Sequence, residues 1–230
     1  MSHPVRGAED RFLAIQFEDA QQQLDTAKMG VWLFLGSELL FFGALFAAYG
    51  VYRGNHPEIF HYGQYFLDYR LGALNTLVLI GSSLSAAWSV RCAQIGDRTN
   101  LLRTLVITFL LASVFLVVKY FEYSHKLHNG VFWGAGFHPS AEVLRELPRA
   151  VAQAPIPENA GRFFSIYFVM TGLHGIHVTV GMGLYVWLFF RARRGDFGPG
   201  YYGPVDGVAL YWHIVDIIWI FLFPLLYLIG

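Results

Sequence analysis

Long apolar runs alternate with short polar connections along this chain, and the runs are continuous rather than alternating. A helix needs about 20 predominantly apolar residues to cross the hydrocarbon core of a bilayer. Five segments meet that length: residues 30–52, 71–90, 104–121, 163–190 and 207–229. A transmembrane barrel would show segments of about 10 residues with period-two alternation instead. The pattern predicts an all-α polytopic membrane protein, a bundle of five transmembrane helices over residues 30–230 behind a polar segment, residues 1–29. Within that segment, the stretch from Arg11 to Gln23 reads equally as an amphipathic surface helix or a flexible arm. It has no long apolar core and no small-residue cleavage site, so entry into the membrane is expected to use the first span.

Basic residues set the expected orientation. Arg91, Arg98 and Arg103 fill the second connection, and Arg191, Arg193 and Arg194 crowd the fourth. With Lys28 and the N-terminal arginines, they fall on one side of a five-span arrangement, whereas the first connection has only Arg53 and Arg70. Lys and Arg are retained on the cytoplasmic side, which places the N-terminus inside and the C-terminus outside. The third connection, residues 123–162, becomes a long outer loop. It holds Pro139, Pro148, Pro155 and Pro157, and a short helical stretch is expected over residues 141–152, capped by Ser140 and bent or ended by Pro148. No internal repeat is long enough to argue a duplicated transporter.

Composition sharpens this picture. The chain is 55% hydrophobic and 14% charged, against about 25% charged residues in a soluble domain. Its formal net charge is zero, so no broad basic face exists for nucleic acid. Cys92 is the only cysteine. One thiol makes no internal disulfide, dicopper centre, multi-cysteine zinc site or iron–sulfur cluster, and no c-type haem attachment sequence is present.

The polar residues inside the spans are few. Glu38 lies about 12 Å into the first span at 1.5 Å per residue, and a carboxylate at that depth costs several kcal/mol unless paired or protonated. Two readings stand level: a proton-exchanging group beside an uptake path, or a protonated carboxyl bonded to a neighbouring helix or lipid headgroup. His174 and His177 lie three apart on the fourth span and share a helix face, with His213 on the fifth. They invite a metal or haem reading, but buried imidazoles also bond helices together, and no thiol or carboxylate stands in register. No metal site is therefore expected. His213 and Asp216 have the same spacing beside Tyr211, Trp212 and Trp219, and read as a hydrogen-bond lock before a proton relay. Lys119 and Glu122 are expected to neutralise one another where the third span leaves the membrane. Trp32, Trp88, Trp187 and Tyr52 fall near the predicted interfaces, and Gly172, Gly175, Gly181 and Gly183 are candidates for close helix approach.

These residues carry a resemblance. Lys28-Met-Gly-Val-Trp-Leu-Phe-Leu-Gly-Ser-Glu38, followed by Leu39-Leu-Phe-Phe-Gly43, resembles the segment of haem-copper oxidase subunit III around its intramembrane Glu. Leu74-Asn75-Thr76, Ser82-Ser83 and Trp88 look like its next helix, Gly96-Asp97-Arg98 its short inner turn, and Glu122-Tyr123 with Gly130-Val131 the end of the helix after. Gly172-Leu-His174-Gly175-Ile-His177-Val178 resembles the family's paired-histidine motif, and Tyr211-Trp212-His213-Ile-Val-Asp216-Ile-Ile-Trp219 its C-terminal signature. The resemblance runs from Lys28 to Gly230 in the short, five-helix form.

The resemblance implies a multi-pass protein of the bacterial cytoplasmic (inner) membrane, with no redox centre in this chain. Haem and copper would sit in partner subunits. Oxidase subunit I is the implied main contact, with other oxidase subunits, membrane lipids and a larger respiratory supercomplex as further partners. The complex would reduce oxygen to water and translocate protons, as in cytochrome c oxidase of the aerobic electron transport chain. Phospholipid is the implied ligand: Glu38 matches the position for proton access or lipid contact, and Arg191 suits a phosphate headgroup. His174, His177, Tyr211, Trp212, His213, Asp216 and Glu122 match signature positions read as structural hydrogen bonding. The chain departs from the longer form, whose first two of seven helices frame a lipid-filled cleft. Lys119 also stands where a neutral amide is expected, and the loop over residues 132–161 is longer than expected, suited to contacting another subunit. An accessory protein of nitric oxide reductase, a quinol-oxidase subunit III, a small transporter and a haem-binding cytochrome are the alternatives.

Overall fold

The computed structural model describes residues 13–153 and 155–229. Five long helices carry the bundle: α1 (Ala20–Asn55), α3 (Tyr69–Ile95), α4 (Arg98–His128), α7 (Gly161–Arg194) and α8 (Gly203–Phe223). Short helices α2 (Pro57–Gln64), α5 (Ala141–Glu146) and α6 (Arg149–Ala152) lie in the connections. All five long helices are apolar enough to span a membrane, giving an all-α polytopic fold.

Each long helix overshoots its apolar run because capping, not hydropathy, ends it. Asp19, Asp68 and Asp97 accept hydrogen bonds from backbone N–H groups in the first turns of α1, α3 and α4, satisfying donors that the helix itself cannot. Asn100, through backbone and side-chain N–H, holds the Asp97 carboxyl below its ordinary value. Gly96 closes α3 in the left-handed region at φ 76°, with Asp97 N–H returning to Cys92 O at 2.9 Å, a turn that a side chain would strain. Arg98 then reaches the last carbonyls of α7, bonding Ala192 O at 3.2 Å and also Arg193 O.

Of the polar N-terminal segment, residues 1–12, with Arg6 and Arg11, lie outside the described residues. Residues 13–19 form turns, and helix begins at Ala20. The third connection is shorter than the hydropathy suggests, since α4 continues to His128. Ser140 caps α5 and Pro148 separates it from α6. Phe137 stacks on Phe164 at 5.0 Å and meets Phe66 and Tyr62 edge-on, seating this connection over α7 and α2.

α8 is the central helix, packing on α3, α7 and α1, while α3 pairs with α4 and α4 with α7. After α8, Pro224 begins a π turn (Pro224–Leu228), as expected where a residue lacking N–H interrupts the ladder. The outer faces of α1, α3 and α4 are lined by exposed leucines such as Leu40, Leu77 and Leu110, a surface suited to hydrocarbon. Trp32, Trp88 and Trp187 are exposed towards one end of the bundle, where α1, α8 and α4 begin.

Of the four glycines singled out on α7, only Gly181 takes a close neighbour. A Cβ there would lie 2.6 Å from the Trp212 ring, whereas Gly172, Gly175 and Gly183 meet nothing within 4 Å. Gly181→Val should therefore cost about 1–3 kcal/mol by overpacking, and Gly183→Ala should be near neutral. Thermal unfolding of the detergent-purified chain checks the difference.

Candidate functional site

Glu38 and His177 meet across the bundle. Glu38 is as far from the start of α1 as His177 is from the end of α7, about 26 Å at 1.5 Å per residue. His177 Nε2 lies 3.0 Å from Glu38 Oε2, both side chains being about one-fifth exposed. The other ring nitrogen, Nδ1, is 2.8 Å from Leu173 O. A carbonyl oxygen only accepts, so Nδ1 carries a proton. Nε2 therefore faces the Glu38 carboxyl, and their contact is a hydrogen bond when one of the two atoms carries a proton. Phe42, edge-on to the imidazole at 5.2 Å, and Tyr211, whose hydroxyl donates to His177 O at 2.9 Å, fix the pair.

This pair forms part of the wall of a cavity of about 1010 Å³ bounded by α1, α7, the start of α8 and the turn before it. Val31, Phe34, Val180, Leu184 and Trp187 make the walls apolar. Arg191 stands behind two of the wall residues: its guanidinium lies 5.2 Å from the Trp187 ring and 5.3 Å from the Tyr201 ring. Its Nε donates to Asp196 at 2.9 Å and Nη1 to the Tyr201 hydroxyl at 3.4 Å. The arginine expected to face a headgroup is thus already anchored to protein acceptors at the cavity's end.

The two signature histidines of α7 do not converge. His174 is fully buried between Phe115 and Trp219, at 5.5 Å and 5.2 Å, and neither ring nitrogen has a hydrogen-bond partner among the described residues. The expected lock between His213 and Asp216 is also replaced. His213 Nδ1 bonds Ser83 Oγ of α3 at 2.7 Å, while Asp216 lies beside the same serine with both carboxyl oxygens buried. One helical turn brings the two side chains to one face, but α3 presents a serine there and His213 takes it. Trp212 and Trp219 do lock α8 to α3, their indole N–H groups donating to Ser82 Oγ and Thr76 Oγ1, each at 3.0 Å.

Lys119 and Glu122 are paired at 2.9 Å as their spacing suggests, inside a larger buried cluster. Lys126 donates to Glu122 Oε1 at 2.9 Å, and so do the hydroxyls of Tyr167 at 2.8 Å and Tyr227 at 2.7 Å. Lys119 also donates to Tyr227 at 2.7 Å and lies 4.6 Å from the Trp219 ring. The cluster joins α4, α7 and the turn after α8. Its missed member, Lys126, was detectable as the i+4 neighbour of Glu122, but only on a helix continuing past Phe121.

Five apolar helices, tied by polar contacts between neighbours, define a polytopic α-helical membrane protein. Among the described residues, no three His, Cys, Asp or Glu side chains converge as a metal would require. The family model for cytochrome c oxidase subunit III matches residues 14–143 and 150–230, and the chain belongs to that family. It is 32% identical to cytochrome c oxidase subunit 3 of Thermostichus vulcanus, over 96% of both chains. It is 31% identical to the probable subunit 3 of Nocardia farcinica, over 87% of both. Against the Loxodonta africana subunit 3 the identity is 30%, covering 90% of this chain and 70% of the relative. As a subunit III, it is part of an oxidase complex.

Glu122 is the only carboxylate in its cluster, answering two buried ammonium groups. Breaking a buried pair from one side costs about 3–5 kcal/mol, so Glu122→Gln should be severely destabilising. Lys119→Met leaves one cation with one anion and should cost much less. Unfolding of both variants in the same detergent tests this ordering.

Proposed function

We propose that this chain is the non-catalytic subunit III of a proton-pumping haem-copper terminal oxidase, stabilising the catalytic subunit, binding phospholipid and supporting proton uptake. The observation that carries the reading is the Glu38–His177 pair, 3.0 Å apart in the wall of an apolar cavity. A group that passes a proton between two atoms 3.0 Å apart is suited to buffering proton supply at an uptake entrance. The same cavity is suited to acyl chains, with the headgroup phosphate at the Arg191 and Tyr201 end. Oxygen reduction belongs to the partner subunit, which holds the haem and copper.

The N-terminus lies inside and the C-terminus outside. Supporting this, Lys28, Arg91, Arg98, Arg103, Arg191, Arg193 and Arg194 gather at the end of the bundle where α1, α4 and α8 begin and α3 and α7 finish. That end then faces the cytoplasm, and the connection after α4 faces outward, where exposed Trp133 and Phe132 suit a neighbouring subunit. The near-complete coverage of the Nocardia farcinica and Thermostichus vulcanus relatives supports a bacterial cytoplasmic membrane. Subunit I is the principal partner.

Purification through a tag on this chain should recover a haem-copper catalytic subunit, seen by mass spectrometry and a reduced-minus-oxidised spectrum. A chain recovered alone and colourless would overturn the assignment. In the intact complex, Glu38→Gln keeps the shape of the side chain but removes its titrating proton. Turnover or active lifetime should fall several-fold at alkaline pH, where protons are scarce, and change little at acid pH. An unaltered pH profile would remove Glu38 from proton supply.

A further inference from the structure

The cavity at Glu38 and His177 reaches further along α1 than the bilayer does. Gln21 and Glu38 both line it, about 26 Å apart along the helix at 1.5 Å per residue. Gln21 stands about 14 Å before the apolar run that begins at residue 30. The headgroups form a layer of only about 5–8 Å on each side of the hydrocarbon. At the level of Gln21 no lipid tail lies alongside, and the boundary between cavity and water is drawn by protein.

Two pieces of the chain draw it. One is the turn between α7 and α8, residues 199–202, all of which line the cavity. The other is the segment before α1, residues 13–19, which folds back along the helix instead of running away from it. Ala14 N–H donates to Gln23 Oε1 at 2.7 Å, Glu18 N–H to Gln22 Oε1 at 2.7 Å, and Phe17 N–H to Ala14 O at 3.1 Å. The fold-back brings Leu13 into the lining together with Gln23 and Leu24. Leu24 also reaches the start of α8, its Cδ1 lying 3.0 Å from where a Cβ on Gly203 would stand. The first turns of α1 are thus seated against α8, whereas the segment before them is held loosely. Ile15, Gln16 and Glu18 are exposed, Ile15 at 89%. A segment that buries so little opens locally at far lower cost than the helices beneath it.

We infer that residues 13–19 are a latch on this cavity, with Gln23 as its catch. Closed, the latch retains the bound phospholipid; released from Gln23, it opens a route for the headgroup past residues 199–202. The inference rests on the phospholipid reading of the cavity and adds what controls exchange.

Intact oxidase carrying a C-terminal tag on this chain, moved into nanodiscs of deuterated phosphatidylethanolamine and phosphatidylglycerol, tests it. Mass spectrometry follows the loss of the original lipid. The population belonging to this cavity is the one that Val180→Trp displaces, since Val180 lines the wall. In Gln23→Ala that population should exchange about two- to tenfold faster, the weight of one hydrogen bond. Ala14→Pro removes the donor of the same bond from outside any helix and should match it. Gln23→Glu, which keeps an acceptor, should exchange at the wild-type rate. Unchanged exchange in Gln23→Ala and Ala14→Pro, or equal acceleration in Gln23→Glu, overturns the latch and leaves lipid binding standing. An oxidase with no slowly exchanging lipid that Val180→Trp displaces overturns both the latch and the lipid reading beneath it.

Discussion

Hydrocarbon offers no hydrogen bond, and the arrangement of these five helices follows from that deficiency. Apolar packing holds spans together without direction, so it does not by itself choose rotation or register. Polar side chains do, because a hydrogen bond to a neighbour fixes both rotation and register. α8 supplies most of them. Trp212, His213 and Trp219 reach Ser82, Ser83 and Thr76 on α3, and Tyr211 reaches the backbone of α7. Tyr227, just beyond, joins the charged cluster of α4. A helix that, with the turn after it, bonds three others sits in the middle, and that span is the most buried.

The same constraint separates what was legible in the sequence from what was not. Five apolar runs of spanning length are visible because hydrocarbon excludes charge over a fixed thickness. The helix ends are not, since Asp19, Asp68 and Asp97 cap outside the runs, in segments that hydropathy scores only as polar. Stopping α4 at residue 121 concealed Lys126, although it stands one turn from Glu122. Charge position also carried information beyond the spans, since the basic residues gather at one end of the bundle.

Contacts between helices were harder to read, for a geometric reason. Spacing along one helix shows which side chains share a face but says nothing about what the neighbouring helix brings. His213 and Asp216 share a face, yet the serine of α3 captures the imidazole. His174 and His177 are three apart, yet one is enclosed by aromatic rings and the other reaches an acid on α1. Equal distance from the same end of the bundle was the one signal available for Glu38 and His177. It becomes useful only once α1 and α7 are known to run antiparallel and close together.

Two intramembrane acids show how differently the constraint is met. Glu122 is answered in full by four donors, two of them ammonium groups, and the surplus positive charge falls near the last turn of α4, where unpaired carbonyls favour a cation. That site is complete within the chain and needs no partner to be stable. Asp216 has one neutral hydroxyl beside it and no cation. It lies midway along its helix, beyond the reach of either terminus, with Ser83 of α3, which also contacts His213, beside it. The Asp216 carboxyl is met instead at the seam of α3 and α8, shut off from the outside beside the serine that also meets His213.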